Sequence, residues 1–137
     1  VKLVGVSAKP EKIGEGATGW ASTWKGELGI QLDDGTVVTP GIQLSFSAWS
    51  DYSNSYSRSD RIDLIALESG WLLRVYVIFS EMFVADETTE LARWLGSADG
   101  RSWQRVSEKE PAPQGTVVGT LTTPPSAKEM VLSAHKS

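Results

Sequence analysis

The sequence predicts an all-β fold: an antiparallel β-sandwich or jelly-roll-like arrangement of about eight strands with one short helix. Three observations carry that expectation. The run from Trp71 to Phe83 reads as a long central strand, with Trp71, Leu73, Val75, Val77, Phe79, Glu81 and Phe83 on one face and Leu72, Arg74, Tyr76, Ile78, Ser80 and Met82 on the other. Short alternating runs recur along the rest of the chain between Gly, Pro and Asp-Gly punctuation. The repeated helical crossovers that a parallel α/β fold requires are missing. A closed barrel is the structural alternative, because alternation alone does not separate it from a sandwich.

Composition bounds the rest. Residues 1–137 read as one β-rich domain of 14.8 kDa, long enough to bury roughly two thirds of its unfolded surface. The apolar fraction is 40%, and no apolar window is long enough to span a bilayer. A net charge of -4 argues against broad nucleic-acid binding, which needs clustered cations to release counterions. Without cysteine there is neither a disulfide framework nor a thiolate metal site, so packing alone holds the fold and the compartment stays open. The start at Val1, without an initiator methionine or a basic and apolar leader, fits a processed or trimmed product.

Taken in order, Val1–Val6 suggests a short edge strand, and Pro10 with Gly14, Gly16 and Gly19 a turn-rich connection. Trp20 and Trp24 follow at even spacing, which puts both rings on one face of an extended chain, about 13 Å apart. Leu28, Ile30 and Leu32 then alternate up to Asp34-Gly35, the pair favoured in a two-residue hairpin turn. That turn would set Leu32 opposite Val37 and Ile30 opposite Thr39. After Pro40-Gly41, residues Ile42, Leu44, Phe46 and Ala48 form a half-buried strand. Ile62–Leu67 is another, and Glu68-Ser69-Gly70 turns it into the central strand. Beyond Val84 the period changes. Leu91, Trp94 and Leu95 fit a helical stripe, with Asp86 or Thr88 to cap it and Gly96 to end it, which predicts a short helix over 87–95. The rival is a hairpin closed by Asp99-Gly100, with Leu95 opposite Gln104 and Trp94 opposite Arg105. Val117–Leu121 and Ala127–Ser133 complete the predicted strands.

The segment from Trp49 to Arg61 is the least core-like part of the middle of the chain. It reads as a serine-rich loop carrying Asp51, Tyr52, Asn54, Tyr56, Arg58, Asp60 and Arg61. Aromatic rings offer contact area at little rotamer cost, and amide, hydroxyl and charged groups read polar ligands, so this mixture suits a polyol or a protein surface. The candidate ligand-binding residues are therefore Trp49, Asp51, Tyr52, Asn54, Tyr56 and Arg58, with Trp20 and Trp24 as further stacking platforms. Solvated-loop and core-packing roles are the plainer alternatives for the same residues.

Catalysis has little to work with. His135, the single histidine, lies close to the last residue, and no nucleotide-cradling glycine motif occurs. Carboxylate pairs such as Glu68 with Glu81 or Asp60 with Asp63 can be nominated, but nothing in the sequence requires them to converge. No catalytic residue, metal ligand or cofactor is assigned.

The segment Ser97-Ala98-Asp99-Gly100-Arg101-Ser102-Trp103-Gln104-Arg105-Val106 resembles a turn and strand of discoidin-like, coagulation-factor-type carbohydrate-binding sandwiches. The resemblance covers those ten residues, implies a sandwich, and transfers no ligand residue. Together these features make a noncatalytic carbohydrate-binding or lectin-like module the leading expectation, with a glycan as partner. The alternative is a protein-interaction or assembly subunit, such as a capsid, tail, pilus or cell-surface component, including a homo-oligomer. Either role fits an extracellular or surface-associated setting.

Overall fold

The computed structural model describes residues 1–16, 19–51 and 53–124, with the backbone alone for 7–16. Among the described residues there are nine strands: β1 Lys2–Gly16, β2 Gly19–Gln31, β3 Val37–Val38, β4 Gln43–Ser50, β5 Ser55–Ala66, β6 Trp71–Glu81, β7 Val84–Gly96, β8 Trp103–Val106 and β9 Thr116–Thr122. All pairings are antiparallel, and all nine strands belong to one sheet. Its main path runs β1-β2-β4-β5-β6-β7-β8, with β3 added beside β2 and β9 beside β5. No helix occurs among the described residues, and none is therefore long and apolar enough to cross a membrane. The strand expected at 127–133, and His135, lie outside the described residues.

The predicted helix at 87–95 is a correction. Those residues belong to β7, and the Asp99-Gly100 hairpin sets Leu95 opposite Gln104 and Trp94 opposite Arg105. The register slips between Tyr76↔Glu90 and Val75↔Ala92, leaving Leu91 as an extra residue, a β-bulge. The bulge changes the phase of the strand. Ala92 and Trp94 then face the core, while Glu90 and Arg93 share the outer face, and the stripe read as helical is split: Leu91 is the bulged residue and Leu95 lies on the opposite face from Trp94.

The first tight hairpin also differs by one register step. Gln31 pairs with Val37 and Ile30 with Val38, while Leu32 N–H donates to the Thr36 carbonyl and Gly35 N–H to that of Leu32. Three residues, Asp33, Asp34 and Gly35, make the loop. Gly35 sits at φ 89°, the left-handed position that closes a three-residue hairpin. Pro10 does not end β1, which continues through register shifts on either side of Lys9. An edge strand tolerates a proline at such an irregularity.

A fork in the sheet creates the core. One edge of β5 pairs with β6 throughout, but the other is divided: Ser55–Ser59 pairs with β4, and Arg61–Ala66 with β9. Asp60 stands at the changeover. Its Oδ2 accepts from Ser45 N–H at 2.8 Å, and its own N–H donates to Thr123 Oγ1 at 2.8 Å. Thr123 Oγ1 in turn donates to the Ser45 carbonyl at 2.6 Å, so one hydroxyl ties β4 and β5 to the end of β9. Beyond the fork, Leu28, Ile30 and Leu44 of the β2–β4 arm pack against Ile62, Leu64, Leu73 and Leu121 of the β5–β6–β9 arm. The Asp34–Arg101 ion pair at 2.7 Å ties the β2–β3 turn to the β7–β8 turn.

Candidate functional site

Strand parity above the fork determines what the site contains. Ala21, Trp49, Tyr56 and Glu81 lie in one cross-strand row, and Thr23, Ser47, Arg58 and Phe79 in the next. Both rows are on the face of β5 and β6 that buries Ile62, Leu64, Leu73 and Val75 below the fork. Above the fork that face is uncovered, because there the β2–β4 arm joins the sheet edge to edge instead of lying over it. The result is a cleft of about 410 Å³ lined by Ala21, Thr23, Ser47, Ala48, Trp49, Tyr56, Ser57, Arg58 and Phe79.

Three aromatic rings dominate it and stay open to solvent: Trp49 is 46% exposed, Tyr56 41% and Phe79 48%. Trp49 and Tyr56 meet edge to face, centroids 4.8 Å apart at 84°. Such a pair is worth about 0.5–1.5 kcal/mol beyond its buried area and holds both rings in place. Asn54 Nδ2 donates to the Tyr56 hydroxyl at 2.9 Å. Burial, followed by the nearby Glu81 carboxylate, raises the pKa of that phenol above its ordinary value, so it remains a neutral hydroxyl near pH 7. At the foot of the cleft Arg58 Nη1 donates to Ser45 Oγ at 2.7 Å and lies 3.5 Å from Asp60 Oδ1. Asp60 is pushed above the usual carboxylate range by burial, which the Ser45 N–H and the Arg58 charge only partly offset.

The candidate residues therefore separate. Trp49, Tyr56 and Arg58 converge in the cleft. Asp51 and Asn54 belong to the turn that closes β4 onto β5: Asp51 Oδ1 accepts from Ser53 N–H, Ser53 Oγ and Asn54 N–H at 2.9, 2.8 and 2.7 Å. Those donors hold the Asp51 carboxyl below its ordinary value and direct that oxygen into its own turn. Tyr52 lies outside the described residues. Trp24 is 1% exposed and packs in the core, on the opposite face from Trp49. Trp20 shares the Trp24 face and is 36% exposed, so neither indole reaches the cleft. The described residues of 49–61 are not one loop but the end of β4, a reversal in which Asp51 N–H donates to the Asn54 carbonyl, and the first half of β5.

Phe79, Thr23 and Ser47, with Ala21, Ala48 and Ser57, are the lining residues that sequence reasoning left out of the site. Phe79 shares its face of β6 with buried Leu73 and Val75; only the lack of a covering layer makes it a surface. The nominated carboxylate pairs do not converge: Asp60 and Asp63 point to opposite faces of β5, and Glu68 and Glu81 flank opposite ends of β6. Among the described residues no cluster of His, Cys, Asp or Glu could hold a metal ion. The chain matches no protein-family model, no curated protein and no solved structure.

Proposed function

We propose that the protein is a noncatalytic carbohydrate-binding module whose site is the cleft formed by Trp49, Tyr56, Arg58 and Phe79. The observation that carries this reading is the set of three exposed rings on rigid neighbouring strands, with the Thr23, Ser47 and Tyr56 hydroxyls among them. Sugar rings offer apolar C–H faces to aromatic planes and equatorial hydroxyls to short polar side chains, and a few placed polar groups in an apolar concavity fix a ligand's orientation. Strand spacing puts Trp49 and Phe79 about 12 Å apart across β4 to β6, room for roughly two pyranose rings. In this reading the folded-over sheet serves as a sandwich-type scaffold.

A glycan array at two protein concentrations, with Trp49→Ala and Tyr56→Ala alongside, tests the proposal. Saturable binding that both substitutions abolish supports it. Absence of binding by the folded protein across a chemically broad array refutes it. The assembly reading draws on a different feature, the tip between β6 and β7. There Phe83 is 95% exposed at φ 68°, a left-handed conformation that side chains rarely adopt, beside exposed Met82 and Val84. A mass that rises with concentration and returns to the monomer value in Phe83→Ser would favour assembly.

A further inference from the structure

The two ends of the aromatic platform carry different charge. Tyr56 lies directly across from Glu81, and Phe79 directly across from Glu87, so each ring at the β5–β7 end has a carboxylate as its cross-strand neighbour on the same face. Glu87 is exposed and Glu81 half-buried. Arg58, the β5 neighbour of Phe79, turns its guanidinium to Ser45 Oγ and Asp60, whose carboxylate offsets its charge, and Lys25 stands farther along the face, opposite Ser45 on β2.

We infer that the β5–β7 end of the cleft is a subsite for a positively charged amine on the bound glycan, held over the Tyr56 and Phe79 rings and facing Glu81 and Glu87. The inference rests on the carbohydrate reading and names the sugar class: chains bearing free amino groups in preference to their acetylated or hydroxyl counterparts. Ring faces attract an ammonium through their quadrupole, and the carboxylates add Coulomb attraction from beside the rings. One exposed and one half-buried carboxylate of this kind amount to a preference of about tenfold.

The test titrates the full chain with three tetrasaccharides of the same β-1,4 linkage, built from glucosamine, N-acetylglucosamine or glucose, at about pH 5.5, where the sugar amine is protonated. A tetralysine peptide is the fourth ligand, a source of ammonium groups without a sugar. The expected result is about tenfold tighter binding of the glucosamine chain than of the two uncharged chains, a preference that falls to within about twofold in Glu81→Gln/Glu87→Gln and in high salt. Equal affinity for the three sugars overturns the inference and leaves the carbohydrate reading standing. A preference that survives the double substitution overturns it as well. Tetralysine binding as tightly as the glucosamine chain overturns the sugar assignment, and no saturable sugar binding by a protein with intact β-sheet circular dichroism overturns both readings.

Discussion

Replacing Glu90 by Gln removes the carboxylate that Arg74 and Arg93 share on the outer face of the sheet. Both guanidinium groups bind it through two nitrogens: Arg74 at 2.8 and 3.0 Å, Arg93 at 2.8 and 2.9 Å. The Arg93 side chain is 6% exposed and that of Glu90 14%. Burial alone would raise the Glu90 pKa; the donors from Arg74 and Arg93 outweigh it and bring it from 4.5 down to about 2. A drop of that size corresponds to about 3 kcal/mol of folding stability at neutral pH. The same order follows from leaving a buried guanidinium without its counterion. Because the folded value lies below the ordinary one, the contribution is complete above about pH 4.5 and is lost as the pH falls toward 2. Urea unfolding of wild type and Glu90→Gln should therefore differ by about 3 kcal/mol at neutral pH, and the gap should close to within about 1 kcal/mol near pH 2. A gap below about 1 kcal/mol at neutral pH, or one that does not narrow on acidification, would refute this account of the cluster.

Four further substitutions probe the cleft and the frame around it. Gly26→Ala pushes a methyl group against the Trp24 indole, whose Cζ2 would lie 2.7 Å away, and should cost about 1–3 kcal/mol in denaturant unfolding. Thr123→Val keeps the shape but leaves the Asp60 N–H and the Ser45 carbonyl without their shared hydroxyl. It should cost about 2–4 kcal/mol and speed amide exchange at Asp60 well before that at Leu73. Trp24→Ala should destabilise by about 3–5 kcal/mol, whereas Trp49→Ala should cost about 1 kcal/mol, the edge-to-face contact with Tyr56. Thermal melts of the two indole variants compare them directly.

Periodicity made much of this fold legible. The two faces of β6, the Glu68-Ser69-Gly70 turn and the strand through Ile42, Leu44, Phe46 and Ala48 were readable because local alternation records which side chains share a face. Alternation does not record what covers that face. Phe79 and Leu73 belong to one face of one strand, and only the long-range fork at Asp60 makes the first a surface and the second a core residue. The bulge at Leu91 defeated periodicity in another way, by inserting a residue that changes the phase of the strand. There the Asp99-Gly100 turn was the better local signal, since it sets a register that the apolar stripe cannot. The site was half legible for the same reason. Trp49, Tyr56 and Arg58 are close in sequence and meet across a single hairpin, while Thr23 and Phe79 join them only through the order of strands in the sheet.

The indole N–H resonances of the six tryptophans offer the most direct test of the platform. In an NMR titration with the glucosamine tetrasaccharide, the account predicts saturable shifts at the Trp49 indole and at the Tyr56 and Phe79 rings, with Trp20 and Trp24 unmoved. Saturable shifts at Trp20, Trp94 or Trp103 with Trp49 unchanged would place the ligand elsewhere on the molecule and contradict it.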